Sequence, residues 1–179
     1  MDKFMKIDKD FLPIYEFNKT FDEIVRKEGA DLFAFSVERN DGYSECFSID
    51  VLKEGVDDAL NFRRAERFIK TALWTVGGYK LKIIANDTLY KSLENAYSHG
   101  GKRDFDVKFF EKVYDAPFSV ERVSALFKSK RELVAADKNE CGARIGLDAG
   151  GSDIKISAVE NGNVLFSKEI LWQPKVNSN

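Results

Sequence analysis

Residues 145–156 constrain the fold of this chain more than any other stretch. They read Ile-Gly-Leu-Asp-Ala-Gly-Gly-Ser-Asp-Ile-Lys-Ile, an apolar segment that leads to a carboxylate, two glycines and a hydroxyl before a second apolar segment begins. This order predicts a β-strand, a tight turn and a second β-strand. Gly150 and Gly151 can adopt backbone angles closed to residues with a Cβ, so consecutive N–H groups can converge on an anion.

The same stretch has the chemistry of a phosphate site. Ser152 adds a hydroxyl donor, and Asp148 stands at the end of the first strand, where a carboxylate can hold a hydrated Mg²⁺ beside phosphates. The alternative is an ordinary hairpin, because tight turns also require glycine-rich loops. The spacing alone leaves both interpretations open.

A family resemblance favours the phosphate site. Together with residues 157–165, the stretch resembles the opening of the ROK family (repressors, open reading frames and sugar kinases), part of the actin, hexokinase and heat-shock ATPase superfamily. The family's first phosphate motif reads roughly Ile-Gly-Ile-Asp-x-Gly-Gly-Thr. The matching residues are Asp148, Gly150, Gly151 and Ser152. Asp153 departs from the lysine common at the next position, so the local charge is less favourable to phosphate.

The resemblance covers about residues 143–176, and it implies a partial domain over 143–179. That domain would be the first antiparallel β-meander of an actin-like ATPase fold, which is ribonuclease H-like. ATP and Mg²⁺ are the implied cofactors, and the complete protein would transfer a phosphoryl group to a sugar hydroxyl. The family's catalytic Asp motif, its zinc motif and its second phosphate loop are not found in these residues. We therefore expect an N-terminal fragment or truncated form of a sugar kinase-like transferase, with no catalytic residue and no catalysis in this chain alone.

The residues before the meander predict an α/β domain over 20–127, after an N-terminal segment of residues 1–19. The order of a hairpin, a long helix, a strand and further helices is typical of this class. Residues 128–142 are polar and lack a sustained period, so they are interpreted as a linker.

Alternation and periodicity place the main elements of this domain. Strands are predicted over residues 32–37 and 43–49 around the hairpin signal Asn40-Asp41-Gly42. Apolar residues recur with helical spacing from residue 56 to residue 76.

Capping signals predict where the other helices begin. Thr20 opens a capping box, Asn86 or Asp87 can cap a second helix, and Asp106 can cap a third. Residues 118–127 are apolar enough for either a strand or a short helix.

Composition narrows the class of protein. The 179 residues are 44% hydrophobic and 13% aromatic, which supports a packed core, and a net charge of −2 gives no general attraction to nucleic acid or anionic membrane. The sequence contains neither an apolar signal segment nor eighteen consecutive apolar residues. We expect a cytoplasmic protein without a nucleic-acid or membrane partner, in which Cys46 and Cys141 are free thiols.

Four cations lie on one face of the long predicted helix. They are Arg63, Arg64, Arg67 and Lys70. This face could contact an anion, but the favoured interpretation is a solvated surface balanced by Asp57, Asp58 and Glu66.

Other candidate residues are interpreted structurally. His99, the single histidine, is expected at the surface or at a helix end, without a paired carboxylate. Five aromatic residues at core-facing positions are expected in the core rather than in a ligand pocket. They are Trp74, Tyr79, Phe105, Phe109 and Phe110.

A rival interpretation makes the chain a non-enzymatic ligand-binding or oligomerisation module. The Gly-Gly turn would then be only a hairpin. Exposed strand edges at residues 153–160 and 164–171 would favour a homodimer by edge pairing.

Overall fold

Two β-sheets organise the chain. The structure is a computed structural model that describes residues 12–125, 128–131 and 141–172. Within these ranges it contains four α-helices and two sheets, which confirms the general α/β class. The described residues fall into two compact units, which meet in sequence between Glu132 and Leu133.

The first unit combines four strands with four helices. Its elements are α1 (Ile14–Glu28), β1 (Ala30–Glu38), β2 (Ser44–Leu52), α2 (Asp58–Val76), β3 (Lys80–Ile84), α3 (Asp87–Ala96), α4 (Asp104–Tyr114) and β4 (Ser119–Arg122). The sheet order is β2-β1-β3-β4, in which β1 is antiparallel to both neighbours and β3 is parallel to β4. The sequence of residues 118–127 allowed either a strand or a short helix, and in the structure Ser119–Arg122 form the strand β4.

The predicted hairpin is confirmed. Asp41 and Gly42, in the turn between β1 and β2, have φ angles of 61° and 68°. Asn, Asp and Gly tolerate this left-handed conformation better than other residues, which is why this tripeptide reverses the chain.

Helix α1 begins six residues before the predicted cap at Thr20, so the capping-box interpretation is wrong. Pro13 precedes the first turn, where a residue without an N–H and with a fixed φ is tolerated. Phe17, Phe21 and Val25 recur every four residues and are buried. This apolar stripe, rather than the local polar signal, sets the extent of the helix.

The core lies between one face of the first sheet and the helices. Phe68 of α2 packs edge-on against Phe35 of β1 and Phe47 of β2, with ring centroids 5.2 and 5.7 Å apart. Asn61 is fully buried and exchanges two hydrogen bonds of 2.8 Å with the backbone of Leu52. This pairing satisfies peptide groups at the end of β2 and fixes α2 against the sheet.

Of the two caps predicted for the later helices, one is confirmed and the other is wrong. Asn86 caps α3, because its side chain accepts a 2.9 Å hydrogen bond from the N–H of Leu89. Asp106 does not cap α4, which begins at Asp104. It is buried in the first turn, where it accepts a 2.6 Å hydrogen bond from the indole of Trp74.

The second unit is a three-stranded antiparallel meander. It consists of β5 (Ala143–Ala149), β6 (Asp153–Glu160) and β7 (Asn163–Leu171), in the order β5-β6-β7. Asn161 and Gly162 connect β6 to β7 with φ angles of 50° and 80°, the signs that a tight type I′ turn requires. Strand β6 is central and paired on both sides, so the predicted exposed edge at residues 153–160 is wrong. The edges are β5 and β7.

Part of the predicted linker belongs to the first unit. The backbone of Lys130 exchanges two 2.9 Å hydrogen bonds with Ser44 at the start of β2. Residues 132–140 of the predicted linker lie outside the described residues, as do residues 1–11, 126–127 and 173–179. No helix in the described ranges is long and apolar enough to cross a membrane.

Candidate functional site

The predicted phosphate residues lie together at the turn between β5 and β6. Asp148 is the next-to-last residue of β5, and Gly150, Gly151 and Ser152 form the turn. The N–H of Gly150 donates a 2.8 Å hydrogen bond to the carbonyl of Asp153. The chain therefore reverses over Gly151 and Ser152, at the end of the paired strands.

The two glycines do not use the backbone freedom that the sequence suggested. Neither Gly150 nor Gly151 has a positive φ, so that part of the prediction is wrong. Gly150 is needed for space, because a Cβ there would lie 2.8 Å from Oδ1 of Asp153 and 3.1 Å from its carbonyl oxygen. A Cβ on Gly151 would meet nothing within 4 Å.

Trp172, which the sequence analysis did not single out, holds the turn in place. Its backbone N–H donates to the carbonyl of Ser152 at 2.9 Å, and its indole Nε1 donates to the carbonyl of Gly150 at 2.8 Å. Within the described residues, the N–H of Gly151 and the hydroxyl of Ser152 have no partner. Two carbonyls of the turn are therefore bound, and the N–H of Gly151 and the hydroxyl of Ser152 are available to an anion.

The charges around the turn are mixed. Asp148 lies directly across from Lys155 in the strand register. The Nζ of Lys155 is 3.6 Å from Oδ2 of Asp153, whereas Asp148 is exposed and forms no ion pair in the described ranges. Asp148 is thus free to take a cation, and Asp153 opposes a phosphate unless a cation accompanies it.

These residues fit a hydrated Mg²⁺ that arrives with a phosphate. Mg²⁺ is usually held by one or two carboxylates, with phosphate oxygens and water completing six ligands. Asp148 can supply such a carboxylate. No group of three or more His, Cys, Asp or Glu side chains gathers as a metal site within the described part of the chain. A metal at Asp148 would therefore draw most of its ligands from phosphate and water.

A second candidate site lies in the first unit, in a cavity of about 940 Å³. We call this cavity the basic pocket. Residues of α1, α2 and β2 line it, with the turn before α4. Its cations are Arg63, Arg64, Arg67, Lys70, Lys102 and Arg103, and Glu66 is its acidic residue. The four cations on α2 share one helix face in the sequence, whereas only the fold brings Lys102 and Arg103 to them.

Arg63 and Arg67 are exposed to solvent, as the solvated-face interpretation predicts, but the carboxylates expected to balance the α2 cations are engaged elsewhere, so that part of the interpretation is wrong. Asp57 accepts a hydrogen bond from the N–H of Leu60 at 2.9 Å. Asp58 accepts one from the N–H of Gly55 at 3.0 Å. Both carboxylates serve the start of α2, and Glu66 is buried against Arg103.

Arg103 stays cationic in this partly buried position. Burial would lower the pKa of its guanidinium, but the hydrogen bond and the charge of Glu66 outweigh burial and raise the pKa above its ordinary value. Lys102 adds a second ammonium 3.8 Å from the same carboxylate. The single acidic residue of the pocket is thus shared between two cations.

Two arginines on α2 are held by α1. Arg64 pairs with Asp22 at 3.2 Å and lies over the ring of Phe21 at 5.2 Å, and its Nη1 is buried without a hydrogen-bond partner among the described residues. Arg63 lies over the ring of Phe17 at 4.7 Å.

His99 is exposed, as expected, but the structure gives it carboxylate neighbours. Its Nε2 lies 3.0 Å from Oε1 of Glu111, and its Nδ1 lies 3.9 Å from Oδ1 of Asp104. The N–H of Phe118 lowers the pKa of Glu111 most, and the hydrogen bond from His99 lowers it further. The expectation of a histidine without a paired carboxylate is therefore wrong. Its role is to join α4 to the preceding turn.

The five predicted core aromatics divide between the core and the surface. Phe110 is buried and Tyr79 is half-buried, but Trp74, Phe105 and Phe109 are exposed and stacked. For these three the core interpretation is wrong. Trp74 is held by its hydrogen bond to a buried carboxylate, which fixes the stack on the surface of α2 and α4.

Comparisons with protein-family models, with curated proteins and with solved structures find no match for this chain.

Proposed function

We propose that the turn of the meander binds the phosphates of a nucleotide, in a protein similar to ROK-family sugar kinases. The observation that carries the proposal is the hydrogen bonding of the turn. Trp172 binds the carbonyls of Gly150 and Ser152, while the N–H of Gly151 and the hydroxyl of Ser152 lack partners in the described ranges. An oxyanion accepts from such donors. Asp148 beside them would hold a hydrated Mg²⁺.

The proposal extends to the fold and to the reaction of a longer protein. The meander would be the first part of an actin-like ATPase domain, and a hexose or amino sugar would accept the phosphoryl group. In this chain the residues of the turn bind and position phosphate. They supply no base for the acceptor hydroxyl, so binding without transfer is the expected activity.

The test is a calorimetric titration of the full chain with ATP and Mg²⁺. Because ATP could also enter the basic pocket, each titration is run in an Arg67→Gln/Lys70→Gln background. Asp148→Ala should weaken Mg²⁺-dependent binding at least about tenfold, and Ser152→Ala should weaken it less. Asp50→Ala, at an exposed carboxylate of the first unit, is the matched control.

Two results would overturn nucleotide binding. One is no heat of binding up to about 1 mM ATP with Mg²⁺. The other is equal binding by Asp148→Ala and the control. Circular dichroism on each variant ensures that a loss of binding is not a loss of folding.

A second candidate function, oligomerisation through the meander, is favoured by a separate observation. Ile145, Leu147 and Phe166 are 81%, 68% and 50% exposed on strands β5 and β7, the two edges of this sheet. A second copy that pairs along β5 or β7 would cover apolar surface and unpaired peptide groups together. Sedimentation velocity tests this, and a monomer at every concentration would exclude it.

A further inference from the structure

We infer that the basic pocket binds a small organic molecule carrying at least two phosphate groups, at a site distinct from the glycine turn. Six cationic side chains and one acidic side chain line this cavity. The resemblance of the meander to the ROK family implies neither the charged side chains of this cavity nor its place in the fold. The inference rests on how the first unit arranges these charges.

Two cations on α2 are uncommitted. Within the described part of the chain, Arg67 and Lys70 form no ion pair, and Arg63 one turn earlier contacts only an aromatic ring. Positions i, i+4 and i+7 lie on one face of a helix, so the three charges are spread over roughly 10 Å. One phosphate can bridge two cations a turn apart, and this stripe therefore has room for two phosphates.

Two further cations are fixed before any ligand arrives. Arg64 is held by Asp22, and Arg103 by Glu66, so neither guanidinium needs to be ordered on binding. The buried Nη1 of Arg64 has no acceptor among the described residues. Because that atom has almost no accessible surface, a ligand in the cavity would meet other parts of the Arg64 side chain rather than Nη1.

The apolar part of the wall indicates an organic ligand rather than a free inorganic anion. Ile14 and Phe17 of α1, Ile49 of β2 and Phe68 of α2 line the same cavity. A volume of about 940 Å³ is at the upper end for a small-molecule site. A sugar or a nucleoside could occupy the space between these side chains and the cations.

The charge distribution favours a small ligand over a nucleic-acid strand. The chain as a whole has a net charge of −2, so its positive potential is local rather than spread over the molecule. A long polyanion gains affinity from each further phosphate that it places near a cation, and a single cluster of six cations offers few such contacts. A compact ligand with two phosphates can contact the uncommitted cations of α2.

The experiment is a calorimetric titration of the full chain with fructose bisphosphate and, separately, with ATP. Every chain carries Asp148→Ala, which weakens any competing binding at the turn of the meander. Arg67→Gln/Lys70→Gln should weaken binding of the better ligand at least about tenfold. Lys91→Gln/Lys112→Gln, at two exposed lysines of α3 and α4, removes the same charge outside the pocket and should change binding by less than about twofold.

Comparing the affinities of the two ligands shows whether the site prefers a sugar phosphate or a nucleotide. Tighter binding of fructose bisphosphate supports a sugar phosphate, and tighter binding of ATP supports a nucleotide. The inference is overturned if neither ligand binds up to about 1 mM, or if the pocket variant and the control variant bind equally. It is also overturned if a short single-stranded oligonucleotide binds more than about tenfold tighter than both, because the site would then be a strand-binding surface.

Discussion

The carboxylate of Glu66 on α2 and the guanidinium of Arg103, at the start of α4, form an ion pair that fixes one wall of the basic pocket. The side chain of Glu66 is 1% exposed and that of Arg103 is 17% exposed. Arg103 also lies 3.7 Å from Asp106, which holds the indole of Trp74. This chain of contacts joins α2 to α4 at two points along α2.

Replacing Glu66 by Ala should destabilise the first unit strongly. Arg103 would keep its charge in a partly buried position without its main partner, and the loss of one member of a buried pair costs about 3 kcal/mol. Urea unfolding at neutral pH, followed by circular dichroism, measures this free energy. Glu66→Gln retains a hydrogen-bond acceptor and should cost less.

The matched control is Glu23→Ala, at an exposed carboxylate of α1. It should change the free energy of unfolding by less than about 0.5 kcal/mol. If Glu66→Ala and Glu23→Ala cost the same, the pair with Arg103 does not stabilise the fold.

Local signals predicted the first unit well where neighbours in sequence decide the structure. The turn at Asp41 and Gly42 and the cap at Asn86 depend on residues within three positions, and both are confirmed. The predicted start of α1 was wrong, because the polar pattern at Thr20 is only a local signal. Burial of the apolar stripe that begins at Phe17 stabilises the helix before Thr20.

The candidate sites depend on contacts that sequence patterns do not contain. Trp172 reaches Gly150 across 22 positions, and Arg103 reaches Glu66 across 37. The composition of α2 indicated a basic face, but only the fold shows that Glu66 is buried and bound to Arg103. The prediction of the glycine turn placed its residues correctly, since strand and turn chemistry are local, and misjudged its backbone angles.

The acid sensitivity of the first unit should depend in part on Glu38. Its carboxylate lies 2.7 Å from the Nζ of Lys82 and 3.6 Å from that of Lys80. Burial would raise the pKa of Glu38, but the hydrogen bond and the charges of these lysines outweigh it and lower the pKa below its ordinary value of 4.5. The folded state therefore favours the ionised form.

Because the folded pKa is depressed, this stabilisation is complete above the ordinary pKa and is lost as the pH falls through the folded pKa. Glu38→Gln should cost about 1 kcal/mol at neutral pH and nothing once both states are protonated at strongly acidic pH. Urea unfolding over this pH range measures the difference, with Glu23→Gln, at an exposed carboxylate of α1, as control. A constant difference between Glu38→Gln and the native chain at all pH values would contradict the assignment.

The two glycines of the turn should respond differently to alanine. At Gly150 a Cβ would press on the carboxylate and the carbonyl of Asp153, whereas at Gly151 it would enter open space. Gly150→Ala should therefore open the turn, with amide hydrogen exchange in β5 and β6 faster by about fivefold or more. Gly151→Ala should leave exchange unchanged or slower, because a compatible Gly→Ala change reduces the freedom of the unfolded chain. Faster exchange in Gly151→Ala than in Gly150→Ala would show that the turn has another geometry.

The indole of Trp172 should report phosphate binding at the turn. The chain contains two tryptophans, so Trp74→Phe leaves Trp172 as the single indole fluorophore. Its Nε1 donates to the carbonyl of Gly150, and a charged ligand on the neighbouring N–H of Gly151 would alter the field at the ring. In the Trp74→Phe chain, ATP with Mg²⁺ should shift the emission in a saturable way. The further change Asp148→Ala should move the midpoint to at least about tenfold higher ligand concentration, and Asp50→Ala should not. Emission that stays constant while calorimetry detects binding would place the nucleotide away from the turn, and the basic pocket would then be its site.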